Sequence, residues 1–442
     1  MKIHPNEPTL QELFEQLSRG SLRTLEHVLA CPECREQARK ILTLGRRPAP
    51  GNLLQMQETK PVYESLLEEA GLTIRCRQLS LEQERLEAQE IFPGLEACPA
   101  ERRALLLRNS ARHQSWGMLE LVLERSRRAS FNGAFEVQHW AEMALLIADQ
   151  LDPEHYGAAN VEDMRARAWS RIGNARRIEY NFVSAEEAFR TALTHLRQGS
   201  GDPVERAHFL SLRASLLRVQ AKFSQAMSLL RRAIEIFEGA GETHQAGRCL
   251  VQLSAIYVNN CDPAEAVPLV ERAMDLIDKA REPQLEFFAW NNLIIAFAQV
   301  GRNLEAAHLL SRTLALYEQS PIPSARARLS WAKGKIARGY GQFHEAEENL
   351  IAARTGFLSV GILCEAAVVS LELASLYHDQ GRSADIRLLA EELTRFSESP
   401  QVSPDVREAL TSWQEGGSGA APTPPTPSPS RGTPRPHRQS RR

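Results

Sequence analysis

An alanine, a bulky apolar residue four positions on, and usually a second small residue three further, return about every forty residues along more than half of this chain. The rows are Ala185-Phe189-Ala192, Ala226-Leu230-Ala233, Ala266-Val270-Ala273, Ala306-Leu310-Thr313 and Ala346-Leu350-Ala353. Each follows an apolar stretch of helical spacing and a short break such as Cys261-Asp262-Pro263, Gly301-Arg302-Asn303 or Tyr340-Gly341-Gln342. Self-similarity at this period means stacked helical hairpins, with small residues where two helices cross closely and large ones filling the gap between hairpins. The expected class is therefore all-α. Stacks of this kind usually hold other molecules, so an interaction role leads an enzymatic one.

The bulk numbers agree and narrow the field. The 442 residues are 43% hydrophobic, 24% charged and only 6% aromatic, a balance that suits a large helical protein better than a β-sandwich. With 53 basic against 55 acidic residues, net charge gives no general attraction to nucleic acid or membrane. No apolar run approaches the roughly 18 residues a spanning helix needs. Met1 to Leu10 has no apolar core and carries two prolines, so it does not read as a signal peptide. Seven scattered cysteines point to a reducing compartment rather than a disulfide framework. Cytoplasm is the expectation.

Five segments follow from composition and periodicity. Residues 1–47 form a small helical head, closed by the break Arg47-Pro48-Ala49-Pro50-Gly51. Residues 48–100 are linker and spacer helix, with Phe92-Pro93-Gly94 expected to end the helix. An irregular first helical unit fills 101–160, broken near Ser130-Phe131-Asn132-Gly133, with a connection from Asp152-Pro153 to Asn160. The repeat array occupies 161–398. Residues 399–442, rich in Pro and Arg, lack the apolar side chains to offset ordering entropy and are expected to be disordered.

The repeats resemble the tetratricopeptide family in a lengthened form. Trp169, Ile172, Gly173, Ala185, Phe189 and Ala192 match its order of aromatic, leucine, glycine, alanine, phenylalanine and alanine. The resemblance implies a right-handed α-solenoid. Five units fit well; a sixth, from near Ala366, fits in Leu373, Ala374, Tyr377 and Gly381, but Ile386 replaces the expected alanine, so its second helix could be a cap.

A second pattern lies in the head. His27, Cys31 and Cys34, in His27-x3-Cys31-Pro32-Glu33-Cys34, combine a one-turn helical spacing with the two-residue gap of zinc knuckles. With Leu17-Ser18-Arg19-Gly20 before it, the segment resembles the zinc-binding anti-sigma head, some members of which respond to thiol oxidation. That resemblance implies a structural Zn2+. It departs from the family because Pro8 to Leu17 holds no His or Cys, leaving the fourth ligand open among His4, Glu12, Glu15 and water. A head of three reduced side chains without metal is the alternative. No phosphate loop, nucleotide-binding glycine motif or nucleophile elbow is present, and no catalytic residue is assigned.

In tetratricopeptide arrays the free face of each first helix lines the inner curve. That register places Arg167, Asn174, Arg177, Arg218, Arg248, Asn291, Arg328, Lys335 and Arg338 there, with Trp331 beside them, and no acid until Glu372. Such a face suits an extended acidic peptide: Asn pairs with its backbone and Arg forks onto carboxylates. The alternative is that these cations are solvated or pair with acids on neighbouring helices. Head, spacer and long repeats together, with Trp116 to Leu121 and Ala168 to Arg177, are similar to bacterial regulatory or adaptor proteins. The expected function is a non-enzymatic scaffold or adaptor binding a protein or peptide. A transcription-linked regulator acting through the head is the alternative. Neither membrane nor nucleic acid is an expected partner, and self-association stays open.

Overall fold

The computed structural model describes residues 60–130, 133–220, 222–259 and 262–397, with side chains for all of these but 60–78, 364 and 393–397. The head with His27, Cys31 and Cys34, the start of the linker and the Pro/Arg-rich tail lie outside the described residues.

Among the described residues there are seventeen α-helices, one 3-10 turn (Ala111–His113) and no strand. The irregular part comprises α1 (Lys60–Ala97), α2 (Ala100–Asn109), α3 (Trp116–Ala129), α4 (Ala134–Gln150) and the short α5 (Pro153–Tyr156). Twelve helices of regular length follow: α6 (Ala158–Ile178), α7 (Phe182–Gln198), α8 (Pro203–Val219), α9 (Phe223–Gly239), α10 (Thr243–Asn259), α11 (Pro263–Leu276), α12 (Pro283–Gln299), α13 (Asn303–Glu318), α14 (Ala325–Gly339), α15 (Phe343–Ser359), α16 (Leu363–Asp379) and α17 (Ser383–Ser397). Consecutive helices pack in pairs, α6 with α7, α8 with α9, α14 with α15 and α16 with α17. The expected class, all-α and built of repeated helical hairpins, is the one observed.

The repeat rows explain the pairing. All fifteen residues of the five alanine-containing rows are buried. Where a small residue gives way to Thr313, its hydroxyl donates to the Leu309 carbonyl (2.9 Å), so the extra polar atom is satisfied inside the helix. The glycines of the first helices sit where second-helix side chains press closest. A Cβ on Gly173 would lie 3.0 Å from the Phe189 ring, and one on Gly334 3.0 Å from Leu350. The turn after α14 is a left-handed cap. Gly341 has φ +74°, its N–H donates to Arg338 (3.0 Å), and the next N–H, of Gln342, reaches back to Ala337 (2.9 Å). The same pair of bonds recurs after α12 at Gly301 and after α16 at Gly381, one period apart each time.

Two boundaries differ from expectation. Helix α1 does not end at Phe92-Pro93-Gly94 but continues through Pro93 to Ala97. Proline removes one backbone donor, yet stopping there would forfeit the burial of Leu95 and the contact of Phe92 with Trp140, whose ring centroids are 5.9 Å apart. Helix α6 begins at Ala158 rather than 161, because Gly157, at φ +88°, reverses the chain and the connection itself contains α5.

The chain forms two compact units. The first takes the described residues within Met1–Leu253, Glu271–Ala289 and Ser320–Pro323; the second takes those within Ser254–Val270, Trp290–Gln319 and Ser324–Arg442. In the first unit, α1, α3, α4 and α6 share a core that includes Leu95, Met118, Leu119, Val122, Trp140, Ile147 and Met164. Helix α1 is pinned to α3 by an Arg85–Glu120 fork (2.7 and 2.8 Å) and by Glu84, which accepts from the Trp116 N–H (3.0 Å) and the Tyr156 hydroxyl (2.9 Å). In the second unit, α14, α15 and α16 pack in sequence, around Trp331, Leu350, Phe357 and Leu373.

Candidate functional site

The first helices carry the polar residues singled out by register, and the structure shows what each one touches. In the first unit, Arg167 of α6 forks onto Glu205 of α8, with Nη2 2.6 Å from Oε1. Arg248 of α10 sets Nη1 2.5 and 2.6 Å from the two oxygens of Glu282, just ahead of α12. Asn174 is buried and its amide oxygen accepts from Arg177 Nε (3.0 Å), one turn along α6. Arg218 of α8 is partly exposed, and its side chain has no hydrogen-bond or ion-pair partner among the described residues.

The second unit repeats the pattern. Arg328 of α14 stands 3.4 Å from Glu365 of α16 and over the Phe357 ring. Glu372 accepts from Trp331 Nε1 (2.9 Å) and pairs with Lys335 Nζ (2.6 Å), which itself lies over the Trp331 ring. Arg338 reaches Asp379 (2.7 Å) and the Ser375 hydroxyl (2.9 Å). Asn291 is buried and accepts from the Tyr317 hydroxyl (3.4 Å).

A rule connects these contacts: a cation on one first helix meets an acid at or near the next. The face expected to carry no acid before Glu372 therefore carries Glu205, Glu282 and Glu365 against its arginines. Glu205 and Glu365 each lie in the first turn of a first helix, where the helix dipole also favours negative charge. That acid in the first turn is the sequence signal by which the partners could have been found.

The first unit adds residues that the register reading did not select. Glu282 is almost wholly buried, at 2% exposure, and three cationic or polar neighbours stand against it at once. Besides Arg248 they are Arg127 of α3, whose Nη1 stands 2.6 Å away, and His244 Nε2 at 3.2 Å. Burial alone would raise this carboxyl, but Arg248, His244 and Arg127 outweigh it and hold it down to about 2. Arg127 also forks onto Glu124, one turn back on α3, with Nε 2.7 Å from Oε2.

Arg171 completes this group. It lies one turn beyond Arg167 on the same face of α6, a spacing visible in the sequence, and is partly exposed. No carboxylate stands within ion-pair distance of it among the described residues. Burial and the charges of Arg248, Arg127 and Arg167 push its guanidinium down to about 9, against the opposing charge of Glu124. It therefore remains a cation at neutral pH.

Of the cysteines, Cys98 and Cys249 have described side chains, and both are free. Cys249 is buried, and burial pushes its thiol up to about 12, a small apolar residue in effect. Among the described residues no cluster of His, Cys, Asp and Glu could hold a metal ion, and no helix is long and apolar enough to cross a membrane.

No protein family model matches this chain, and no curated protein matches it. Among solved structures it is similar to aspartyl phosphate phosphatase F from Bacillus subtilis, at 12% identity and a TM-score of 0.49, over 91% of this chain and 97% of that one. The fold assignment rests on the helices themselves.

Proposed function

We propose that this chain is a non-enzymatic interaction protein of regulatory or adaptor type, which binds a protein or acidic peptide along its first helices. One observation carries the reading. Within each unit polar side chains recur at matching register on the first helices, and most are closed by internal acids, while Arg218 of the first unit is partly exposed and has no partner among the described residues. The internal pairs hold these helices in order, and the open cation of the first unit supplies a place for a carboxylate of an extended ligand to dock. The internally paired members order the first helices of each unit by itself, Arg167 and Arg248 in the first and Arg328, Lys335 and Arg338 in the second, and a buried asparagine lies in each, Asn174 and Asn291.

Affinity capture from the native cell with the full chain, wild type against Arg218→Glu, tests this. A partner held by wild type should be lost or weakened by at least tenfold in the variant, which breaks no internal pair. Equal recovery by both proteins would remove the first-helix row as the recognition surface. The reading of the head as a regulator of transcription rests on residues outside those described, and no observation among the described residues favours it.

A further inference from the structure

In the first unit three guanidiniums, Arg127, Arg167 and Arg248, act on a fourth, Arg171, and three carboxylates, Glu124, Glu205 and Glu282, are ion-paired with those three. Every carboxylate is committed. Glu205 is forked by Arg167. Glu282 is shared among Arg248, Arg127 and His244. Glu124 is taken by Arg127 and by Arg128, whose Nε stands 3.1 Å away. Arg171 of α6 has no ion-pair partner among the described residues, and Arg127 of α3, Arg167 of α6 and Arg248 of α10 act on it against Glu124. A cation held in partial burial without a counterion is costly, and its natural complement is a bound anion. Because Arg171 is partly exposed, an anion can reach it.

The chemistry of the site narrows the ligand. A guanidinium presents a planar fork of donors that matches the two oxygens of a carboxylate or phosphate. The neighbouring cations already carry carboxylates, so the charge left to be met is that of Arg171 itself, which one carboxylate matches. We propose that Arg171, flanked by Arg127, Arg167 and Arg248, is an anion-binding subsite that takes a single carboxylate of an acidic peptide segment. This rests on the interaction role proposed above and names one of its contacts.

The test uses the full chain, with a tetraglutamate peptide, the matching tetraglutamine peptide and inorganic phosphate as probes in calorimetric titration. Tetraglutamate should bind, tetraglutamine should not, and Arg171→Gln should weaken binding at least tenfold while Arg171→Lys retains part of it. Unlike a residue with a structural role, Arg171 should be dispensable for folding: Arg171→Gln should melt at the wild-type temperature or above, since it removes an uncompensated charge. A lower melting temperature would reveal an internal partner and overturn the assignment. Binding of phosphate without tetraglutamate would make this a site for free oxyanions and overturn the peptide assignment. Binding of neither, or equal binding by Arg171→Gln, would overturn the subsite. The Arg218→Glu capture stands apart from these results: if it behaves as expected while Arg171 fails, the interaction role survives without this contact.

Discussion

Glu282 shows how much one side chain can organise. Its carboxylate is buried, and three neighbours from α3 and α10 converge on it. The carboxyl titrates near 2 in the folded chain against an ordinary 4.5. A depressed carboxylate contributes stability that is fully present above the unfolded value and is lost as pH falls through the folded one. The window here runs from about 4.5 down to about 2. Glu282→Gln should therefore cost about 3 kcal/mol at pH 7, and its deficit against wild type should shrink markedly by pH 3. Urea denaturation of both proteins at the two pH values checks this. A gap of the same size at both would mean that Glu282 is not the group losing its charge.

At the scale of the element, two glycines separate conformational cost from steric cost. Gly341 sits at φ +74° with open space where a Cβ would go, so Gly341→Ala should lose about 1 kcal/mol through backbone strain alone. Gly117 of α3 has an ordinary helical backbone, but a Cβ there would lie 2.6 Å from the Glu84 carbonyl oxygen and 2.7 Å from the Arg85 nitrogen of α1. Two helix backbones would have to part, so Gly117→Ala should cost about 3 kcal/mol. Denaturation midpoints of the two variants give the comparison, and an equal loss would contradict it. The same elements show what was legible in the sequence. Ala185-Phe189-Ala192 and its successors announced the hairpins, because close helix crossing needs small residues at fixed spacing. The end of α1 was not legible: Pro93 is a local stop signal, and the burial of Leu95 that overrides it is a property of α3 and α4. The cations were readable from register, but of their partners only Glu205 and Glu365 carried a signal, as acids in a first turn; Glu282, Glu372 and Asp379 did not. An acid thirty-four to forty-one residues away enters only once the next hairpin is in place. Arg171 was hidden for the opposite reason. Its significance is an absence, which no motif records.

For the whole molecule, the question is how far a local defect travels. In repeat architectures each hairpin leans on its neighbours, so stability is close to a sum of local terms rather than one indivisible quantity. The cross-hairpin pairs agree with that: Arg167 reaches one hairpin onward to Glu205, and Arg328 likewise to Glu365. A network built from such short steps relays strain weakly. Gly117→Ala should therefore lower hydrogen-exchange protection in α1, α3 and α4 of the first unit, while α14, α15 and α16 of the second keep theirs. Gly341→Ala should do the reverse. Native-state exchange followed helix by helix reads both. Equal loss of protection in all six helices for either variant would show that the chain opens as one cooperative block, and neighbour-to-neighbour stacking would then fail as the account of what holds it together.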